Sequence, residues 1–239
     1  MLKKSRLVAL IAGWCVLFVS LQSLASIVVS GTRVIYPGNE KEVTVKLSNV
    51  GKSPVLVQSW IDRGDVSAKP EKIAVPFILT PPMNRIDPDK SQTLRLSYTA
   101  SPALPEDRES VYWLNVLEIP PLRATAAPNR LQVAFRTRIK LFYRPAAIDD
   151  KVKATEAGEK LTWTISGTTL RAHNITPYFI SLVSVNVGQG ASGDSAEGEM
   201  VPPMGTQTFQ MRGALKAGTP LSYEFVNDWG AVKSVRTTL

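Results

Sequence analysis

The 239-residue chain contains one cysteine, Cys15, and one histidine, His173, and these shortages remove several kinds of chemistry at the outset. Without a second cysteine there is no intrachain disulfide, so the fold must rest on apolar cores. A lone histidine beside Asn174, in a chain with no Gly-x-Ser-x-Gly element, offers no nucleophile and base pair; a hydrogen-bonded surface histidine is the ordinary reading. Metal centres lack ligands for the same reason, and no acidic loop has calcium spacing. No catalytic residue, metal ligand or cofactor is therefore assigned. Dense lysine and arginine runs are also missing, which argues against nucleic acid or a membrane surface as partner.

Long apolar runs are scarce as well. Leu7 to Val19 falls short of the roughly 20 residues a membrane-spanning helix needs. Preceded by Lys3, Lys4 and Arg6 and followed by the small residues of Ser23-Leu24-Ala25, it reads as a secretory signal over residues 1–25, cleaved before Ser26. Cys15 lies inside the apolar run with no cleavage site beside it, which argues against a lipid anchor. The exported chain then keeps 214 residues, enough for two domains of about 100 each, and inserts in no membrane. The net charge of +8 includes the three leader cations, so the mature excess is +5, spread along the chain.

What is present is period-two alternation, while no segment sustains a 3.6-residue apolar stripe beside helix caps. Val43, Val45 and Leu47 alternate with polar neighbours, as do Leu94, Leu96 and Tyr98, and later Leu161, Trp163 and Ile165. Turn signals such as Pro37-Gly38-Asn39, Asp87-Pro88 and Ser166-Gly167 space these strands as a β-sandwich would, and the 17 prolines suit turns and edges. The chain is predicted to be all-β. Val111 to Ile119 is apolar on both parities and is expected to be covered on both faces. The next strand, Leu131 to Tyr143, ends at Arg144-Pro145-Ala146-Ala147, which places a domain boundary between 26–145 and 146–239. Asp149-Asp150 reads as a solvated linker face, and Gly188 to Gly198 as a hairpin loop.

Within Leu131 to Lys140, Leu131, Val133 and Phe135 share one face, and Gln132, Arg136, Arg138 and Lys140 share the other. Alternation alone suggests an ordinary strand with its apolar face inward. Leu104-Pro105-Glu106-Asp107-Arg108-Glu109-Ser110-Val111-Tyr112-Trp113-Leu114-Asn115-Val116-Leu117-Glu118-Ile119-Pro120-Pro121, however, resembles the signature of the periplasmic pilus-assembly chaperones over its whole length. Similar matches are Gly31-Thr32-Arg33-Val34-Ile35-Tyr36-Pro37, Ile139-Lys140-Leu141-Phe142-Tyr143-Arg144-Pro145 and Asn227-Asp228-Trp229-Gly230. Ile175 and Met204 depart from the family pattern.

The resemblance implies two immunoglobulin-like β-sandwich domains set at an angle, with a cleft between them. It implies a chaperone that stabilises pilus subunits in the periplasm by lending them a β-strand and passes them to an outer-membrane usher. Arg33 and Lys140 would hold the subunit's terminal carboxylate, through charge-assisted hydrogen bonds of roughly 1.5 to 3 kcal/mol each. Leu131, Val133 and Phe135 would fill the subunit's open groove, for about 5 to 9 kcal/mol before association costs. Because Lys140 has the opposite parity, a bulge or strong twist is expected between them. Glu109, Arg144 and Asp228 match a family ion-pair network between domains, expected to act on orientation, since exposed pairs contribute little to stability. The short Pro120 to Arg130 connection places the chain in the short-loop branch of the family. An exposed apolar edge is an aggregation hazard, which a self-capping homodimer would relieve. The other classes weighed are a secreted adhesin or pilus subunit and a periplasmic enzyme. A subunit would need a donor segment and one incomplete sandwich, and an enzyme would need a reactive constellation.

Overall fold

The computed structural model describes residues 26–121, 132–188 and 193–239. Residues 1–25, where the secretory signal is expected, Leu131 and most of the Pro120 to Arg130 connection lie outside them. The first half contains β1 (Ile27–Val29), β2 (Arg33–Pro37), β3 (Val43–Asn49), β4 (Val55–Asp62), β5 (Phe77–Thr80), β6 (Met83–Ile86), β7 (Ser91–Tyr98), β8 (Ser110–Ile119) and β9 (Phe135–Arg144). One sheet has the order β1-β3-β7-β5 and the other β2-β9-β8-β4-β6. β1 pairs with β3, whereas β2 crosses to the opposite sheet and lies parallel to β9.

Alternation puts one side of each strand into the space between the sheets. Val45 and Leu47 of β3, Leu94 and Leu96 of β7, Leu114 and Val116 of β8 and Leu141 of β9 meet there in one buried cluster. Each such side chain contributes about 1.5 to 3 kcal/mol by leaving water. β8 is the middle strand of its sheet. Its inward residues Tyr112, Leu114 and Val116 are buried, while outward Val111, Trp113, Leu117 and Ile119 are only half-buried. Coverage on both faces is therefore partial, because on the outer side the lid over Trp113 is the Arg138 guanidinium, 4.6 Å from the ring centroid.

After β9 the chain passes through a short turn into α1 (Lys151–Glu156), then β10 (Thr162–Ser166), β11 (Thr169–His173), β12 (Ile180–Val187), β13 (Asp194–Glu197), β14 (Met200–Val201), β15 (Thr206–Gln210), β16 (Pro220–Val226) and β17 (Val232–Thr238). A three-stranded sheet β10-β11-β15 faces a sheet β13-β12-β16-β17, with β14 also on β12. They enclose a second cluster that includes Leu170, Val185, Leu221 and Tyr223.

One local expectation is extended and two change. Asp150, solvated as expected, is also a helix N-cap: its carboxylate accepts from the amides of Val152 and Lys153 at 3.0 Å, satisfying donors that a helix start leaves free. Part of the Gly188 to Gly198 loop is strand β13, whose Asp194 to Glu197 pair with Val187 to Ser184 of β12. The strand expected from Leu131 begins at Phe135, so Val133 precedes the ladder. Its partner β8 ends at Ile119, and Pro120-Pro121 have no N–H to extend the pairing. His173 is exposed, with Nδ1 3.2 Å from the Thr206 hydroxyl.

Candidate functional site

The parallel pairing of β2 with β9 places Arg33 and Lys140 as direct partners at the point where both strands meet the second sandwich. Val34 and Tyr36 turn into the core, so Arg33 and Ile35 turn out. On β9 the odd residues Ile139, Leu141 and Tyr143 are buried in the first core, and the even residues Lys140, Phe142 and Arg144 face the second sandwich. Arg33 Nη1 donates to the Val226 carbonyl at 2.9 Å, and Lys140 Nζ donates to the Ser181 hydroxyl at 3.0 Å. The Arg33 guanidinium also lies 5.8 Å from the Phe142 ring centroid.

Neither cation has a carboxylate partner among the described residues. Arg33 Nε is buried without a hydrogen-bond acceptor. Burial lowers the pKa of the Arg33 guanidinium, with Asp228 and Glu109 acting against it; burial likewise lowers that of Lys140, reinforced by Arg33 beside it. Two half-desolvated cations with unused donors form a site for a compact anion.

The neighbouring Arg144 is treated differently. Its Nε and Nη2 donate to Glu109 Oε1 at 2.8 and 2.7 Å, and Nη1 donates to Asp228 Oδ2 at 2.8 Å. Glu109 Oε2 accepts from the Phe179 amide at 2.8 Å, and the Arg144 guanidinium lies over the Tyr178 ring. Side chains of Arg144 and Glu109 are each 2% exposed, against 20% for Asp228. The network is therefore buried, and the expectation of weak exposed pairs is corrected: breaking such a pair leaves an uncompensated charge. Burial raises the Glu109 pKa against the opposing pull of Arg144. Asp228 is set by the β16–β17 turn, where Asn227 Oδ1 accepts from the amides of Trp229 and Ala231. Gly230, at φ +82°, lies against Thr32, where a Cβ would come within 2.5 Å of its hydroxyl.

Beyond Lys140, β9 departs from β2. Its residues Phe135 to Ile139 pair only with β8 among the described residues, so their other backbone edge is open. Val133 and Phe135 are 48% and 38% exposed. The β8–β9 register runs unbroken from Ser110 opposite Tyr143 to Glu118 opposite Phe135, so the expected bulge is not there. Apolar and cationic groups simply occupy opposite faces of one strand.

Sequence reasoning missed what stiffens this strand. Arg138 Nη2 donates to Asp62 at 2.6 Å, and Arg136 donates to Asn115 at 2.7 and 2.9 Å and to the Val66 carbonyl at 2.7 Å. The Arg136 guanidinium lies 4.8 Å from the Trp60 ring, as Arg138 does over Trp113. Desolvation pushes the Asp62 pKa up, yet the hydrogen bonds from Arg138 and Asn115 outweigh it and hold the carboxyl below its usual range. Only the pairing of β4, β8 and β9 brings these residues together. The Ser181 and Val226 partners of the cations were equally invisible.

Two β-sandwiches that meet at a pair of half-desolvated cations, beside a strand edge that is open among the described residues, define a class of two-domain all-β proteins. The chain matches the pili and flagellar-assembly chaperone N-terminal domain (PapD) over residues 26–149 and the pili-assembly chaperone C-terminal domain over 156–237. It is 38% identical to the chaperone protein MrkB of Klebsiella pneumoniae over 231 residues, covering 95% of this chain and 97% of MrkB. It is 41% identical to the chaperone protein FimB/FhaD of Bordetella pertussis over 213 residues, covering 87% of this chain and 86% of that protein. The crystal structure of the YadV chaperone of Escherichia coli K12 superposes with a TM-score of 0.77 at 41% identity, covering 90% of this chain and all of that one. The chain belongs to the pilus-assembly chaperone family.

Proposed function

We propose that this protein is exported to the periplasm by removal of residues 1–25 and there binds pilus subunits, with residues 26–145 and 146–239 as its two domains. Arg33 and Lys140 receive the subunit's C-terminal carboxylate, and the open edge of β9 adds a strand to the subunit, with Leu131, Val133 and Phe135 as its groove-filling side chains. The observation that carries this reading is the pair of adjacent cations that, among the described residues, have no carboxylate partner and lie beside an unpaired strand edge. A similar structure, Salmonella enterica SafB, at 29% identity and TM-score 0.76 and covering 91% of this chain and 98% of SafB, is in complex with the pilin SafA, which supports it. The subunit or adhesin alternative has no comparable support.

Energetics divide unequally. Val133 and Phe135 are already about half covered, so burying the remainder adds roughly 1 kcal/mol each, well under the full side-chain value. Backbone hydrogen bonds along the edge and the carboxylate contacts supply the rest. Asp62, Asn115, Arg136 and Arg138 hold the edge in place before binding, which lowers its ordering cost. Glu109, Arg144 and Asp228 fix the cleft. No reaction is catalysed, and the loaded chaperone passes its cargo to an outer-membrane usher.

Co-expression with a pilus subunit tests this. A soluble one-to-one complex is expected from the wild type and none from Arg33→Ala or Lys140→Ala, with both variants folded by circular dichroism. Undiminished subunit recovery with both variants would remove the mechanism.

A further inference from the structure

Glu118 is a buried carboxylate, 6% exposed, facing inward from β8 at the open end of the first sandwich. Among the described residues no lysine or arginine forms an ion pair with it. Among the described residues its donors all come from Ser26 and Ile27, the first two residues after the expected cleavage site. The Ser26 and Ile27 amides each lie 3.0 Å from Oε2, and the Ser26 hydroxyl lies 2.5 Å from Oε1. A buried carboxylate is ordinarily matched by a cation, and these three neutral donors leave the charge itself unmatched among the described residues.

Ser26 is held from its other sides too. The Val50 amide donates to its carbonyl at 2.8 Å. Gly51 packs so closely that a Cβ there would fall 2.5 Å from the Ser26 Cβ. Ile27 is buried and pairs with Asn49. The chain is thus seated at the residue that follows the bond marked for cleavage by Ser23-Leu24-Ala25.

We infer that the mature chain begins at Ser26 and that its new α-ammonium is the counter-charge of Glu118, so that removing the leader completes an ion pair inside the first domain. The inference rests on the export reading and is independent of how subunits bind. A signal peptidase hydrolyses the Ala25–Ser26 amide: the oxygen of water becomes part of the Ala25 carboxylate, and the Ser26 nitrogen leaves as an amine that takes up a proton. One neutral N–H donor to Glu118 is replaced by a charged one, a hydrogen bond roughly twice as strong. Glu118 and Phe135 are register partners on adjacent strands, so the tie closes the sandwich beneath the start of the open edge.

The pair predicts its own titration. A free α-amino group titrates at about 7.7 to 8.0, and the adjoining carboxylate raises this in the folded state. Of the elements packed around it, β1, β4 and β9 present Ile27, Val57 and Phe135, which do not titrate. The neighbouring turns carry Lys52, Asp87, Asp89 and Lys90, all exposed. With the folded value above the unfolded one, the stabilisation is complete below about pH 7.7 and is lost as pH rises through the folded value.

The test exports the full 239-residue precursor and takes the intact mass and the α-amino NMR titration of the purified product. Expected are a first residue of Ser26 and a midpoint at least one unit above 8, a tenfold or greater preference for the charged form, returning to the free range in Glu118→Gln. Should that variant not fold, acetylating the α-amino group of the wild-type product gives a second measurement: a lower thermal midpoint at pH 6.5 and no difference at pH 10.5. A first residue other than Ser26, an α-amino midpoint inside the free range, or acetylation without effect at pH 6.5 overturns the inference and leaves export standing. A product that retains the leader overturns both. Loss of subunit capture bears on neither.

Discussion

Replacing Glu109 by alanine puts the largest electrostatic claim at risk. The substitution strips Arg144, 2% exposed, of both its contacts to Glu109 Oε1, leaving only the carboxylate of Asp228, which is itself 20% exposed. Removing one member of a buried pair costs about 3 to 5 kcal/mol, and the Phe179 amide, which donates to Glu109, loses its acceptor for roughly 1 to 3 kcal/mol more. The two share a side chain and do not add fully, so at least about 3 kcal/mol is expected. Asp228→Ala leaves the Glu109 contacts intact and removes a partly hydrated group, for about 1 kcal/mol. Urea unfolding followed by tryptophan fluorescence, with each domain's transition fitted separately, reads the difference. At about 2 kcal/mol per molar, Glu109→Ala should lower the midpoint of the affected transition by roughly 1.5 M and Asp228→Ala by about 0.5 M. The Glu109→Ala loss should persist in 0.5 M NaCl, because buried charges are poorly screened. Equal shifts for the two variants, or a Glu109→Ala shift that vanishes in salt, would refute the argument.

Other outcomes follow from the same geometry. Lys140 titrates below its usual value in the folded protein, so the unfolded chain binds more protons between that value and about 10.5, and wild-type stability should rise with pH across that window relative to Lys140→Met. Parallel curves for the two proteins would contradict it. Phe135→Ser should lower stability by no more than about 1 kcal/mol while reducing subunit capture, whereas Ile139→Ala, four residues on and 9% exposed, should lower stability by about 2 to 5 kcal/mol. Similar unfolding midpoints for these two would show that the edge is not free. Gly230→Ala meets both a left-handed backbone and the Thr32 hydroxyl, so roughly 1 to 2 kcal/mol of destabilisation and a changed small-angle scattering profile are expected. An unchanged profile would mean the β16–β17 turn does not help to set domain orientation.

Strand positions were readable because alternation is a local consequence of the pleat: Val45 and Leu47, and Leu94 and Leu96, needed only one buried side each. The helix start at Asp150 was equally local but hidden, since two adjacent acids look alike in a linker and in a cap until the Val152 and Lys153 amides are placed. The motif around Glu109 was visible as a run of residues, yet its burial was not, because the second sandwich supplies the covering surface.

The sequence by itself determined that the chain is all-β, that its cores form without disulfides and that catalytic groups are scarce, because composition and periodicity act over a few neighbours. It could not decide whether the apolar half of β9 is covered along its whole length, since covered and uncovered strands share one alternation. Phe135 shares the core-side parity of Ile139 and Leu141 yet is 38% exposed, because β2 runs beside β9 only from Lys140 to Arg144 and the preceding residues have β8 alone as partner among the described residues. The same pairing sets Arg33 against Lys140 from positions 107 residues apart, and the second domain then desolvates both cations without neutralising either.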